Sequence, residues 1–244
     1  MQTWKLTIEY DGTKYSGWQE QTNAVTVAGQ IRKAAEDFLG VEVELQGAGR
    51  TDAGVHAEGQ VASFRLASDI GASELRDAIN GNLDRDIRVL KAEFVDCSFH
   101  ARLSARRKTY RYRIWNGDIV PPFAYRYVYH YRGDLDIAEM RRAAAFLVGE
   151  HNFRAFTGTG ADACNAVRTM ERLDVERDGD AINITAVANG FLRYMVRTIA
   201  GTLIDVGRGH RSADRVALAL ERRSRALTGP TAPASGLTLV QVDY

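Results

Sequence analysis

The chain has 244 residues, of which 45% are hydrophobic and 26% charged, and it carries a formal net charge of +1. These values are ordinary for a globular protein with one large or two small domains and a sizeable core. The net charge by itself does not indicate a nucleic-acid partner, and no apolar run is long enough to span a bilayer.

The first half of the chain reads as alternating strands and helices. Apolar residues at every second position from Trp4 to Tyr10 predict a half-buried strand. Helical spacing predicts a helix from Val27 to Phe38, with Gly40 just past its end. Further patterns predict strands over residues 41–48, 60–66 and 87–95, and a helix capped by Ser73 with Leu75, Ile79 and Leu83 as its apolar positions. This order, β-α-β-β-α-β, is that of the ferredoxin-like unit.

The second half repeats this order loosely. Tyrosines and Ile114 alternate with arginines after residue 108, and tyrosines alternate again from Tyr125 to Tyr131, so both runs predict strands. Asp136 and Glu139 have capping-box spacing and predict a helix start. Later patterns predict strands near 166–177 and 181–188, a helix from Phe191 to Val206 that stops at Gly207, a helix capped by Ser212, and a strand from Leu237 to Tyr244.

These elements predict an α+β fold of two ferredoxin-like (βαββαβ-type) halves, residues 1–103 and 104–244. Helices are expected on one side of antiparallel sheets. The junction near residues 97–108 lacks linker composition, so we expect the two halves to share one continuous sheet.

Two cysteines, Cys97 and Cys164, are present without a Cys-x-x-Cys pair, and the five histidines show no metal spacing. We therefore expect no zinc or redox motif, and two buried free thiols in preference to the alternative, a disulfide. The first ten residues resemble a strand and leave no room for a signal peptide, so we expect a reduced, cytoplasmic protein.

Charge is unevenly distributed along the chain. The basic segment, residues 102–113, contains six cations and no acid, whereas the stretch before it is rich in carboxylates. The cations are Arg102, Arg106, Arg107, Lys108, Arg111 and Arg113. This separation predicts one basic and one acidic face.

The string from Gly49 to Ala57 is a candidate site for chemistry. Its two glycines suggest a tight exposed loop between two strands, and it contains Arg50, Asp52 and His56. Asp52 would be the reacting group, and Arg50 would hold either Asp52 or a substrate phosphate. The other interpretation is a connecting loop with an Asx-type turn and a surface ion pair.

Aromatic and basic residues suggest further contacts. Tyr15 and Trp18 either cover the edge of the core, which the pattern favours, or offer a stacking surface for nucleic acid. Lys108 and Tyr110 lie in a strand with cations on one face and tyrosines on the other. Arg193 and Arg197, four apart on the predicted helix, would be either a solvated pair or a site for an anion. The run Thr157–Gly160 is a weak phosphate-loop match, and we expect a mobile RNA-contacting or lid loop there.

Five separated motifs resemble those of the tRNA pseudouridine synthases of the A type, in the same order. They are residues 10–19, 49–57, 108–112, 190–197 and 233–237, so the resemblance covers nearly the whole chain. It implies the architecture predicted above, with the active-site cleft between the halves. It also implies that Asp52 is the nucleophile, that Arg197 pairs with it, that Tyr110 lies against the target base, and that Leu237 walls the pocket.

The resemblance further implies the substrate and the partners. The family isomerises uridines at tRNA positions 38, 39 and 40 in the anticodon arm, and its members are homodimers with tRNA lying across both subunits. The reaction conserves atoms, so no redox cofactor, nucleotide energy source or metal is required. Lys108 and the other cations of the basic segment, together with Arg193, Arg208 and Arg211, would bind backbone phosphates.

Two other classes of protein remain compatible with the residues alone. One is a non-catalytic RNA-binding module of ferredoxin-like fold, which would tolerate loss of the Asp52 carboxylate. The other is an aspartate-dependent glycoside hydrolase, but such enzymes usually need a second carboxylate, and the Asp52 motif contains none.

Overall fold

The computed structural model describes residues 2–67, 69–158 and 165–244. The chain divides into two compact units. One runs from the N-terminus to Arg106 and includes Leu239–Tyr244, and the other is Arg107–Thr238. Both units combine α-helices with mostly antiparallel strands, as an α+β protein should. The division into domains at residue 103 stays a prediction, and in the compact units the end of the final strand belongs with the first.

The first unit is a sheet with two helices. The strand order is β4-β1-β3, β2 pairs with β3, and all these pairs are antiparallel. Its elements are β1 (Gln2–Tyr10), α1 (Val27–Leu39), β2 (Gln46–Gly47), β3 (His56–Leu66), α2 (Ala72–Gly81) and β4 (Ile87–Val95). The predicted inward face of β1 is confirmed, because Trp4, Leu6 and Ile8 are fully buried. They share the core with Ile31 of α1 and Leu75 of α2.

The prediction of a strand over residues 41–48 is wrong, because only Gln46–Gly47 of this segment pairs with β3. Upstream of this short pair, the backbone N–H of Val43 donates to the carboxylate of Glu36 on α1, at 3.0 Å, instead of to a neighbouring strand. The next strand begins at His56, four residues before the predicted start at residue 60, so the connecting loop is shorter than expected.

Helix ends in the first unit follow the predicted chemistry only in part. Gly40 adopts the left-handed conformation (φ 67°) that a C-cap glycine provides, as predicted. Ser73 does not cap α2, because the helix begins after Gly71 without any side-chain cap, and Leu83 lies past its end. Cys97 is an exposed free thiol rather than a buried one, and Cys164 lies outside the described residues.

The second unit is a sheet in the order β5-β9-β8-β7, with antiparallel neighbours and with β6 parallel to β5. Its elements are β5 (Arg107–Trp115), β6 (Tyr129–His130), α3 (Ile137–Ala145), β7 (Gly149–Asn152), β8 (Val167–Asp178), β9 (Ala181–Ala188), α4 (Met195–Gly207) and α5 (Asp214–Arg222). The last strand, β10 (Leu237–Asp243), starts in this unit and ends in the first. Within the described ranges, no helix is both long and apolar enough to cross a membrane.

Three details of the second unit differ from the predictions. The alternating tyrosines do not form a long strand, since Tyr125–Tyr127 is a 3-10 turn and only Tyr129–His130 pairs with β5. Strand β7 was not predicted at all. Ser212 is not a cap, because α5 begins after Ala213 without a side-chain hydrogen bond. The cap at Asp136 is confirmed, because its carboxylate accepts the backbone N–H of Glu139 at 3.0 Å.

Candidate active site

The loop that carries Asp52 is a tight turn between β2 and β3. The backbone N–H of Val55 donates to the carbonyl of Asp52 at 3.1 Å, and Gly54 adopts a positive φ of 76°. The Asp52 residue is half-buried, between buried Thr51 and exposed Ala53. The hydroxyl groups of Thr51 and Tyr10 lie 2.8 Å apart, so the loop is anchored to the end of β1.

The first motif, residues 10–19, supports this loop mainly through backbone atoms. The N–H of Trp18 donates to the carbonyl of Thr51 at 3.0 Å, and the N–H of Gly54 donates to the carbonyl of Tyr15 at 3.3 Å. Gly17 has φ 90°, and a Cβ placed on it would lie only 2.6 Å from the carbonyl oxygen of Thr51. The two motifs that are separate in sequence therefore form one structural element.

Tyr15 and Trp18 are buried, at 6% and 3% exposure, and so cover the core as the pattern favoured. The Tyr15 hydroxyl also bonds to the carboxylate of Asp86, which fixes the ring in the core. The indole of Trp18 also packs against Gly47, which ends β2 just before the Asp52 loop. A Cβ added to Gly47 would lie 2.6 Å from the indole Cε2. These two residues thus belong to the core beside the Asp52 loop and contact that loop through backbone atoms.

His56, at the start of β3, belongs to the candidate string and supports the Asp52 loop, a role that the sequence did not indicate. The ring is buried, and its Nδ1 accepts the backbone N–H of Gly12 at 3.1 Å. The same nitrogen lies 3.2 Å from a carboxylate oxygen of Asp11. His56 thus links the end of the Asp52 loop to the turn after β1.

Arg50 is exposed, and its Nε donates to the side-chain oxygen of Gln19 at 3.0 Å. This bond joins the two motifs at the surface. A role for Arg50 in holding Asp52 or a substrate phosphate stays a prediction.

In the second unit, Tyr110 is a buried residue of β5, and its ring meets Phe191 edge-on with centroids 5.0 Å apart. Lys108, on the same strand, is half-buried, and Leu237 at the start of β10 is buried. The Tyr112 hydroxyl donates to the carbonyl of Pro233 at 2.9 Å, which ties the tail motif to β5.

Gly236 in the tail motif has no room for a side chain, because its Cβ would lie 2.7 Å from the Tyr112 ring. Burial raises the pKa of Tyr112 above its ordinary value, Tyr129 acts in the same direction, and the positive charge of Arg197 acts against the shift. Tyr112 is therefore a neutral, buried support at physiological pH.

The helix predicted from Phe191 instead begins at Met195, which changes the interpretation of the two arginines. Tyr194 precedes it in the left-handed conformation (φ 63°, ψ 2°), so Arg193 is outside the helix and Leu192 is only half-buried. The prediction that Arg193 and Arg197 lie on successive turns is wrong. A left-handed tyrosine costs about 1–2 kcal/mol, which indicates a conformation imposed by its surroundings.

Both arginines contact the ring of Tyr194 instead. The guanidinium carbons of Arg193 and Arg197 lie 4.8 and 5.3 Å from the ring centroid, within the range of cation–π attraction. The Nε of Arg197 donates to the carbonyl of Ala232 at 2.8 Å, and the backbone carbonyl of Arg197 accepts the N–H of Ala232 at 3.0 Å. Arg197 is therefore fixed from two sides.

Several cations that were predicted to bind phosphate also have carboxylate partners. Asp205 lies 3.5 Å from Arg208 and 3.0 Å from Arg211, and Arg107 lies 3.6 Å from Glu171. Their role in RNA binding stays a prediction. Of the run Thr157–Gly160, residues 159 and 160 lie outside the described residues, so the expected lid loop is not described.

With this geometry in view, similarity to known proteins defines the class. A family model described as tRNA pseudouridine synthase matches residues 6–103 and 143–244, and the chain therefore belongs to that family. It is 46% identical over 239 residues to "tRNA pseudouridine synthase A" of Thermoanaerobacter sp. (strain X514), with 98% of each chain covered. A protein of the same name from Brucella ovis is 45% identical over 247 residues, covering 100% of this chain and 98% of that one.

Similarity to solved structures is much weaker. The chain matches an unknown protein from Galdieria sulphuraria with a TM-score of 0.25 and 8% identity, covering 77% of this chain and 81% of that one. A Cbf5-Nop10-Gar1 complex gives a TM-score of 0.32 and 11% identity, covering 96% of this chain and 56% of that one. These scores carry no argument about the fold.

Proposed function

We propose that this protein isomerises uridine to pseudouridine in tRNA, with Asp52 as the nucleophile. The observation that carries the proposal is the Asp52 turn itself, a half-buried aspartate on a loop that the first motif holds by backbone contacts. Family membership supplies the reaction class. A carboxylate on a fixed loop suits covalent catalysis, because little reorganisation is needed when it attacks.

The reaction breaks the C1′–N1 bond of uridine, turns the uracil and joins C1′ to C5. As C1′ bonds to C5, the proton on C5 leaves and N1 gains a proton, so the product is an isomer of the substrate and the overall reaction needs no oxidant or reductant. Asp52 acts by attack at C1′, by attack at C6 or by removal of the 2′ proton. Each of these three routes requires the Asp52 carboxylate to be ionised.

We propose that the substrate uridines lie at tRNA positions 38, 39 and 40, as the motif resemblance implies. The uridine must leave its stack to reach a carboxylate on the protein surface, which costs a few kcal/mol. The ring of Tyr110 and the side chain of Leu237 would contact the extruded base, and Lys108, Arg50 and Arg193 would contact phosphates.

Arg197 is proposed as the cation that keeps Asp52 ionised and fixes its orientation, again from the motif resemblance. An arginine suits this role because its planar guanidinium donates two parallel hydrogen bonds to a carboxylate. The contacts with Ala232 and Tyr194 support the proposal, because a guanidinium already held on two sides loses little freedom on pairing.

Further features of the enzyme are proposed on the same resemblance. Each half would be ferredoxin-like, which for the first unit is supported by the antiparallel order β4-β1-β3 with β2 beside β3. The protein would act in the cytoplasm as a homodimer, with one tRNA contacting both subunits.

The test is incubation of the protein with an undermodified tRNA transcript, followed by mapping of pseudouridine at each position. Asp52→Asn should abolish product while tRNA affinity stays within a few fold, since the shape of the loop is retained. Asp77→Asn, which removes an exposed carboxylate of the same unit, is the matched control and should keep full activity. Product formation by Asp52→Asn would refute the nucleophile role. RNA binding by the unaltered protein without any product would indicate a binding module.

Phosphate contacts are tested separately through salt. Affinity for tRNA should fall steeply with increasing salt, and replacing one phosphate-binding cation should reduce the slope of log affinity against log salt by about one. A flat dependence would contradict the assignment of Lys108, Arg50 and Arg193 to the RNA backbone.

A further inference from the structure

Tyr194 combines a strained backbone with contacts to two arginines. Among the described residues other than glycine, positive φ occurs only at Tyr194 and at Arg223. The ring of Tyr194 packs closely against Gly158. A Cβ added to Gly158 would lie 2.8 Å from the ring Cε2 and nearer still to Cδ2. The N–H of Gly158 also donates to the carbonyl of Arg193 at 3.2 Å.

Strain of this kind persists where the surrounding structure imposes it, and it clusters at functional sites. Nothing in helix formation requires a tyrosine here. The carbonyl of Tyr194 accepts the N–H of Thr198 at 2.9 Å, which begins α4, and any residue offers that carbonyl. The side chain is what distinguishes Tyr194, because its ring lies within 5.3 Å of the Arg197 guanidinium carbon and its hydroxyl accepts from Arg193 at 3.0 Å.

An aromatic face orients a guanidinium in a specific way. The negative face of the ring attracts the flat side of the cation, and the N–H groups at the guanidinium edge then point along its plane toward an acceptor. The ring also attracts both arginines, which offsets the repulsion between the two positive charges. Together with the hydrogen bond from Arg197 to Ala232, the ring restricts the side chain to a narrow range of directions.

We propose that Tyr194 is a positioning residue. Its ring orients the guanidinium of Arg197 toward the anion with which Arg197 pairs. The proposal rests on the proposed role of Arg197 as the partner of a carboxylate. It predicts that the ring, not the hydroxyl and not the backbone strain, sets the rate of the chemical step.

The experiment compares single-turnover rates, tRNA affinity and melting temperature for a set of variants. Tyr194→Asn removes the ring but suits the left-handed conformation, so it should melt at the same temperature or up to about 4 °C higher. Its single-turnover rate should fall about tenfold to a hundredfold, while its affinity for tRNA stays within about threefold. Tyr194→Phe keeps the ring and should stay within about threefold of the unaltered rate.

Two controls separate strain from positioning. Arg223→Asn relieves the backbone strain at the other residue with positive φ, which lies at the end of α5. It should leave the rate unchanged. Tyr194→Leu keeps the strain and the apolar bulk but has no aromatic face, so it should be as slow as Tyr194→Asn. Should the asparagine variant fail to fold, the leucine variant carries the test.

The outcomes distinguish this proposal from the proposed function. Wild-type rates for Tyr194→Leu or Tyr194→Asn, with a slow Arg197→Ala, would overturn the positioning role and leave the function intact. A phenylalanine variant as slow as the asparagine variant would overturn it as well, because the hydroxyl would then matter more than the ring. A fast Arg197→Ala would remove the role of Arg197 on which the proposal rests. Adding Tyr194→Asn to Arg197→Ala should cause no further loss, because the two act as one unit.

Discussion

Gly12→Ala tests whether the first motif shapes the Asp52 loop. A Cβ at Gly12 would lie 2.6 Å from the carbonyl carbon of Val55 and nearer still to its oxygen, where ordinary contacts begin at 3.4 Å. The obstacle is backbone, so it cannot rotate away, and the loop or the turn after β1 must move by about 1 Å. The same movement would lengthen the hydrogen bond from the Gly12 N–H to His56.

The expected cost follows from that displacement. Forcing an extra methyl group into packed structure costs about 1–3 kcal/mol of unfolding free energy. A displacement of about 1 Å at a reacting group reduces the rate by about a hundredfold. We therefore expect Gly12→Ala to fold, to bind tRNA within a few fold, and to form pseudouridine about a hundred times more slowly in single-turnover assays.

The matched control is Gly81→Ala, at the end of α2, where an added Cβ meets nothing within 4 Å. It should gain about 0.5–1 kcal/mol of stability, because alanine is the better helix residue, with activity unchanged. A Gly12→Ala protein that turns over at the normal rate would refute the reasoning, since the contact with Val55 would then have no bearing on Asp52.

The remaining predictions concern stability. Asp136→Ala should lower the unfolding free energy by about 1 kcal/mol, because the cap on α3 is lost. Ser73→Ala should change it by less than about 0.5 kcal/mol, because Ser73 caps no helix. Equal effects of the two substitutions in denaturant titrations would contradict the assigned caps. Burial raises the pKa of Tyr10 from its ordinary value of 10.0 to about 12. Its neutral form therefore stabilises the fold fully below pH 10, and that contribution, about 3 kcal/mol, is lost as the pH rises through 12. Urea titrations from pH 8 to 12 should show the loss, and Tyr10→Phe should lose less; identical profiles would exclude Tyr10 as the cause.

Regular elements with strong periodicity could be predicted from the sequence. Strand β1 and helix α1 were correct because alternation and the C-cap glycine act locally. Strand β7 (Gly149–Asn152) could not be found, because its residues are polar and its pairing with β8 is a contact between segments that a local pattern does not reveal. The strand expected at 41–48 does not form over its whole length, because the N–H of Val43 bonds to the side chain of Glu36 on the preceding helix, a contact that the strand pattern does not reveal.

For the site, the sequence indicated which segments matter but not how they are held. Residues 191–197 have a continuous helical pattern, and no local signal marks Tyr194 as left-handed, because the cause includes close packing against Gly158. His56 was overlooked because its partner is the backbone of Gly12, which sequence spacing does not reveal. The roles of Asp52 and Arg197 still rest on motif resemblance and await the experiments above.

The dependence of the Asp52 turn on residues 10–19 has a practical consequence for protein engineering. Carbonyl oxygens of Thr51 and Val55 are packed against Gly17 and Gly12, so the turn does not encode its own shape. Transplanting residues 49–57 alone into another scaffold would transfer the reactive group without its geometry. A successful graft would have to carry the N-terminal strand and its following loop as well.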